Sequence, residues 1–82
     1  MAMHQERQLT LRQMEIGQTG TVIGILEGRG LMRRLEALGI RPGKKVTKIS
    51  STLLHGPVTL RVDSTQVAVG FGMANKIIVE VG

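Results

Sequence analysis

Apolar residues recur at a helical spacing in one short stretch of the chain. Leu31, Leu35 and Leu38 stand at i, i+4 and i+7, so in an α-helix they share one face. Gly39 follows at the position where a left-handed C′ residue is preferred, and Ile40 is placed to fold back onto Leu35, as in a Schellman cap. The pattern predicts a helix from Leu31 to Leu38 whose three leucines plug an aliphatic core.

Most of the remaining apolar residues follow the period of β-strands. A β-branched run predicts a first strand over residues 21–26, with a bend or bulge at Gly24. A second strand is predicted over 45–53, with a bulge because the apolar positions change parity between Val46 and Ile49. Alternating residues predict three further strands, at 58–62, 66–69 and 77–81.

Two segments predict single helical turns, and one predicts no structure. Thr10 can serve as the N-cap of a turn over the residues that follow it, and the interruption at 70–75 predicts another turn. Residues 1–8 are polar and aperiodic, which predicts a mobile tail before a domain at 9–82. Five short strands with one helix between the first two are typical of a small, strongly bent β-barrel.

Composition narrows the class of protein. The 82 residues suffice for one domain, and with one Phe and no Trp or Tyr its core must be aliphatic. The absence of Cys excludes disulfides and thiolate metal sites, which fits a reducing compartment. Neither a signal peptide nor a run of about 18 apolar residues is present, so we expect a cytoplasmic protein.

The titratable residues do not form a recognisable catalytic or metal-binding pattern. The six acidic residues are scattered, with Asp63 placed in a turn, and His4 and His55 are far apart in the sequence. Gly43-Lys44-Lys45 leads into a strand rather than a helix, unlike a P-loop. The sequence therefore predicts a binding module, with no enzymatic activity, no cofactor and no metal site.

The net charge of +5 favours an anionic partner. Lys44, Lys45 and Lys48 are predicted to extend positive potential around the rim of the barrel. Nucleic-acid modules of this size usually add stacking aromatic residues, and Phe71 alone cannot form such a platform. No nucleic-acid partner is therefore expected, although phosphate contacts require only charge.

Two groups of residues are candidates for contact with a protein partner. Arg29, Arg33 and Glu36 lie opposite the leucine stripe of the predicted helix, where Arg33 and Glu36 could pair, and Met32 lies on its flank. Methionines can adapt to a partner groove, and the irregular segment after the fourth strand contains another. The predicted partner-binding residues are Met32, Arg33, Glu36, Phe71 and Met73.

Five motifs in a fixed order provide the basis for a family resemblance between residues 11 and 81. They are Gly17-x-x-Gly20-x-Val22, Arg34-Leu35-x-x-Leu38-Gly39-Ile40-x-Pro42-Gly43-x-x-Val46, Gly56-Pro57-Val58, Val67-Ala68-Val69 and Ala74-x-x-Ile77-x-Val79. On these motifs the chain resembles the FeoA family of small cytosolic proteins associated with bacterial ferrous iron uptake. The run Gly70-Phe71-Gly72-Met73 departs from the charged, more helix-friendly stretch typical of the family.

The resemblance implies an SH3-like β-barrel with a helix inserted after the first strand. It also implies a non-enzymatic accessory that engages FeoB, the membrane ferrous iron transporter with a cytosolic G-domain. The same barrel occurs in iron-dependent repressors, so an SH3-like regulatory module is one alternative and a small basic barrel binding nucleic acid is another. Direct iron sensing through His4, His55 and carboxylates is a third.

Overall fold

One antiparallel sheet organises the part of the chain that the computed structural model describes: residues 7–26, 29–51 and 55–82, with the backbone alone at residue 29. Its strands are β1 Arg7–Thr10, β2 Thr19–Ile25, β3 Lys45–Ser51, β4 Val58–Val62, β5 Thr65–Val69 and β6 Ile77–Val81. The helices are a 3₁₀ helix at Leu11–Gln13, α1 at Arg29–Ala37 and α2 at Phe71–Ala74. The strands lie in the order β1-β6-β2-β3-β4-β5.

This architecture confirms the predicted mainly β fold with one short helix, and corrects the number of strands from five to six. The helix was predicted after the first strand, but it follows the second because β1 precedes the strand that the sequence counted as first. The additional strand is β1, in which Arg7 and Gln8 pair with the last strand opposite Val81 and Glu80. The sequence predicted a tail for these two residues because residues 1–8 are polar and show no periodicity. Residues 1–6, including His4, lie outside the described part of the chain.

Both predicted bulges are present. The register of β2 against β6 shifts between Val22 and Gly24. The register of β3 against β4 shifts between Lys48 and Ser50. The first predicted strand begins two residues earlier than expected, at Thr19, and the predicted end of the second falls among residues 52–54, which are not described. Bulges increase local twist, so they help a sheet this small to curl around its core.

Two caps fix the short helices as the sequence predicts. The Thr10 side chain accepts a hydrogen bond from the Gln13 amide, and the Gln13 side chain accepts one from the Thr10 amide, forming a capping box. At the end of α1, Gly39 has a φ of +88°. Its amide donates to Glu36 O at 2.9 Å and the next amide, of Ile40, donates to Leu35 O at 2.8 Å, which confirms the Schellman cap.

The predicted leucine plug is wrong in one of its three members. Leu35 is fully buried and Leu31 is half-buried against the core, but Leu38 is 41% exposed. Leu38 follows the last residue of α1, at the point where the chain reverses direction. Ile40, returned by the cap to the side of Leu35, is fully buried in its place. The helix is therefore anchored by Leu35 and Ile40.

The core of the described chain is aliphatic, as the composition requires. Its buried members are Leu11, Met14, Val22, Leu35, Ile40, Val46, Val58, Leu60, Val62, Val67, Val69, Ala74, Ile77, Val79 and Val81. Phe71 is half-buried and lies outside this set. Since the aromatic ring is not needed to fill the core, it is available for surface contacts.

Gly20 allows β2 and β6 to approach closely in the middle of the sheet. The residue is buried, and a Cβ at this position would lie 3.0 Å from Val81 Cγ1 and 3.2 Å from the backbone oxygen of Glu80. Side chains do not tolerate such distances without movement of their neighbours. Here the glycine of the motif is required by packing.

Candidate partner-binding site

The outer face of α1 carries three of the predicted contact residues. Met32, Arg33 and Glu36 fall within an arc of about 100° at 3.6 residues per turn. Arg33 and Glu36 are exposed and Met32 is half-buried, as the periodicity predicts. Leu35 lies about 160° from Arg33 and about 60° from Met32 around the helix, and it anchors the helix in the core. We call Met32, Arg33 and Glu36 the helix patch.

The charges of the helix patch are free to meet a partner. Arg33 and Glu36 do not form an ion pair with each other, although their spacing would permit one, and neither has a partner elsewhere among the described residues. By contrast, Lys44 Nζ lies 2.7 Å from Asp63 Oδ2. This ion pair neutralises part of the positive charge that the sequence predicted at the rim of the barrel. Asp63 also has a φ of +57° and turns the chain between β4 and β5, as its position suggested.

The second predicted group lies on α2, which forms despite Gly72 within it and a glycine, Gly70, as its N-cap. Ala74 is fully buried and Met73 is partly buried against the core, so these two side chains anchor the short helix. Phe71 is half-buried at its start. Among the described residues, no hydrogen bond, ion pair or ring contact joins the helix patch to Phe71 or Met73. The predicted residues lie on two different helices, α1 and α2.

The ring of Phe71 is held between two side chains that the sequence did not associate with it. The Arg12 guanidinium carbon lies 5.0 Å from the ring centroid, in a cation–π arrangement. The His55 ring meets Phe71 edge to face, with centroids 4.5 Å apart and an interplanar angle of 83°. These three residues, which we call the ring cluster, come from the 3₁₀ helix, the β3–β4 connection and α2, so no local pattern could have revealed them.

A buried lysine supports the ring cluster from inside. Lys48 is 4% exposed, and its Nζ donates to Arg12 O at 2.9 Å and to Met14 O at 2.6 Å. This placement corrects the prediction that Lys48 adds positive charge to the rim. Lys48 lies on the same buried face of β3 as Val46, two residues earlier, and its ammonium reaches the carbonyls of Arg12 and Met14. Burial, and secondarily the charge of Arg12, lowers the pKa of Lys48 below the ordinary lysine pKa of 10.5.

The lowered pKa predicts a pH dependence of stability. Between the pKa of Lys48 in the fold and 10.5, the unfolded chain binds more protons than the folded protein, so the free energy of unfolding rises with pH across that window. Lys48→Met should remove this contribution, which is at most about 1.4 kcal/mol per pH unit. Urea titrations from pH 7 to 11 give the free energy of unfolding of this variant and of Lys45→Met, whose lysine is exposed on the same strand. The slopes of free energy against pH should differ between the two variants. Equal slopes would show that the pKa of Lys48 is not lowered in the folded protein.

The described residues contain no group of three His, Cys, Asp or Glu side chains close enough to hold a metal ion. None of the helices in the described ranges is long and apolar enough to cross a membrane. What these residues offer is a rigid scaffold with two exposed, cation-containing patches. That arrangement suits recognition of another macromolecule.

A model of the FeoA domain matches residues 9–81 of the chain. The chain belongs to the FeoA family. The Fe(2+) transport protein A of Methanocaldococcus jannaschii is 38% identical over 64 residues, which cover 78% of this chain and 76% of that protein. These findings confirm the resemblance of the motifs and identify the chain as a member of a family of ferrous iron transport accessory proteins.

Solved structures show the same fold. A crystal structure of an iron uptake regulatory protein, FeoA, superposes with a TM-score of 0.82 at 28% identity, covering 92% of this chain and 99% of that one. FeoA of Stenotrophomonas maltophilia, a prokaryotic SH3 domain protein crystallised with zinc, superposes at 0.73 and 21% identity, covering 87% of this chain and 88% of its own. A manganese-dependent transcriptional repressor gives 0.83 at 22% identity, covering 96% of this chain and 44% of the repressor. The predicted SH3-like barrel is confirmed.

Proposed function

We propose that this FeoA protein is a cytoplasmic adaptor that binds the cytosolic part of a FeoB-type ferrous iron transporter and modulates transport. The observation that carries the proposal is the match of the FeoA domain to residues 9–81, together with a helix patch whose charges have no partner within the described chain. The protein contributes contacts rather than chemistry, and reaches the membrane only through its partner.

The helix patch is suited to this role because it is held rigidly. Leu35 and the Schellman cap at Gly39 fix both the depth and the end of α1. Arg33 and Glu36 then present opposite charges in a defined order, which favours one orientation of a partner with complementary charges. The backbone of the patch is in place before binding, so the ordering cost is confined to the side chains. If one state of the transporter matches it better, binding shifts the population toward that state.

Phe71 and Met73 provide a second contact region in the proposal. Phe71 is partly exposed and its ring is already oriented by Arg12 and His55, so it can pack against a partner without a large loss of side-chain freedom. The same arrangement argues against nucleic-acid binding through this ring. A base would have to displace the Arg12 guanidinium from the ring face before it could stack there.

Charge reversal on α1 tests the proposal. We expect Arg33→Glu to weaken binding to the solubilised transporter at least about tenfold, and the Met32→Asp/Arg33→Glu pair to weaken it further. Arg61→Glu, an exposed reversal on β4, provides the matched control and should bind as the wild type does. Isothermal titration calorimetry gives the affinities, and circular dichroism checks the fold of each variant. Unchanged affinity in the folded pair variant would contradict the role of the helix patch.

A further inference from the structure

The two edge strands of the sheet, β1 and β5, differ in how well they are protected against pairing with a strand of another molecule. At one edge, β1 has four residues and carries Arg7, and the amide of Thr10 is already bonded to the Gln13 side chain. At the other edge, β5 reads Thr-Gln-Val-Ala-Val and pairs with β4 without a register shift. It lacks the charges, prolines and bulges by which natural sheets block pairing at an edge. Of the two edges of the sheet, this uncharged one is the less protected against pairing with another strand.

The hairpin geometry shows which backbone groups of β5 point outward. Val62 and Thr65 flank the two-residue turn and form the closing pair, which exchanges both backbone hydrogen bonds. Hydrogen-bonded pairs then recur at every second position, so the N–H and C=O groups of Gln66 and Ala68 point away from β4. Both residues are exposed, and no hydrogen bond to either backbone beyond the β4 ladder occurs among the described residues.

We propose that β5 is a homodimerisation edge at which two copies of this chain pair antiparallel about Val67. In this register Gln66 lies opposite Ala68 of the second copy, and Ala68 lies opposite its Gln66. The two pairs use all four outward backbone groups of each strand. The sheets of the two copies become continuous. This inference is independent of the proposed transporter partner.

The side chains around the edge favour a second copy as the occupant. Val67 is 8% exposed, more than any other member of the buried core, and the symmetric register covers it with Val67 of the second copy. The one charged residue of β4 is Arg61, which is exposed and lies opposite Gln66. In the dimer the two Arg61 positions are three strand spacings apart, about 14 Å, which exceeds the screening length of about 8–10 Å in physiological salt.

The size of this contact sets the strength of the dimer. Pairing of two five-residue strands buries less than the roughly 1,200 Å² of a standard interface, so we expect a dissociation constant in about the micromolar-to-millimolar range. Such a dimer forms readily when a partner or a membrane concentrates the protein. Two copies of the helix patch would then be presented together.

A charge-swap experiment tests both the edge and its register. Sedimentation equilibrium of the full chain from about 10 μM to 1 mM should show a monomer–dimer equilibrium. The Gln66→Lys/Ala68→Lys protein should be at least about tenfold weaker in self-association, because each lysine faces another across the strands, and Gln66→Glu/Ala68→Glu should behave likewise. An equimolar mixture of the two variants should restore dimers. Ser50→Lys, at an exposed position on β3, is the control and should dimerise like the wild type.

A second measurement uses the unmodified protein. The amides of Gln66 and Ala68 should gain protection from hydrogen exchange as concentration rises, while those of β1 should not. Ala68→Pro removes one outward donor without removing a bond to β4, and should weaken association. The proposal is overturned if the wild type stays monomeric throughout, if both charged variants dimerise like the wild type, or if protection appears elsewhere but not in β5.

Discussion

Leu35→Ala is expected to destabilise the domain by about 2–5 kcal/mol, the largest effect of any substitution considered for this protein. Leu35 is fully buried, and its carbonyl also accepts the Ile40 amide bond of the Schellman cap. Removing its side chain leaves a cavity at the point where α1 meets the core. In a domain of 82 residues, a loss of this size is a large share of the total stability. Urea or thermal unfolding followed by circular dichroism measures it.

Leu38→Ala is the matched control, because it removes the same atoms from an exposed position at the end of the same helix. Leu38 is 41% exposed, so its truncation should change the free energy of unfolding by about 0.5 kcal/mol or less. Equal losses in the two variants would show that both leucines lie in the core. That result would contradict the path of the chain through Gly39 and Ile40.

Gly20→Ala is expected to cost about 1–3 kcal/mol, although it adds only one methyl group. The new Cβ would lie 3.0 Å from Val81 Cγ1, 3.2 Å from Glu80 O and 3.3 Å from Val79 Cβ. Because one of these atoms belongs to the backbone of β6, the contact cannot be relieved by a rotamer change alone. The loss should be visible in the midpoint of denaturant unfolding.

Gly24→Ala provides the comparison on the same strand. No atom lies within 4 Å of a Cβ built at Gly24, and its φ is not in the left-handed region. The substitution should be neutral or stabilise the fold by up to about 1 kcal/mol, since it restricts the unfolded chain. If Gly20→Ala were as harmless as Gly24→Ala, close packing of β2 on β6 would not explain the glycine of the motif.

The features that the sequence predicted correctly are those with local causes. A residue with positive φ after a helix, as at Gly39, and a side chain that bonds an amide three residues away, as at Thr10, are determined by neighbours in the chain. The bulge in β3 could be inferred because the apolar positions change parity within one strand. The exposed helix patch could be inferred for the same reason, since it requires only the helical period.

The two wrong predictions of burial, for Leu38 and Lys48, concern side chains whose environment is set by contacts formed only in the folded protein. Leu38 fits the leucine stripe by period, but Ile40 occupies the core because the cap returns the chain beside Leu35. Lys48 is of a residue type usually found on the surface, but the carbonyls of Arg12 in the 3₁₀ helix and of Met14 at its C-cap accept hydrogen bonds from its ammonium in the interior. Lys48 shares the buried face of β3 with Val46, but the carbonyls that make its burial tolerable come from a distant part of the chain.

The candidate site shows the same division. Periodicity identified Met32, Arg33 and Glu36 because one helix carries them all. It also selected Phe71 and Met73 as members of an irregular segment, but it missed Arg12 and His55, which reach the ring from other parts of the chain. Whether these residues contact a partner depends on surfaces that the chain does not contain, so their role stays a prediction.

Binding to the transporter is measured by titrating the purified protein into detergent-solubilised FeoB-type transporter in a calorimeter, with and without guanine nucleotide, at low and high salt. We expect saturable binding near one copy per binding site, weakened at least about tenfold by Arg33→Glu and unaffected by Arg61→Glu. No binding in any nucleotide state, by protein shown to be folded, would contradict this expectation.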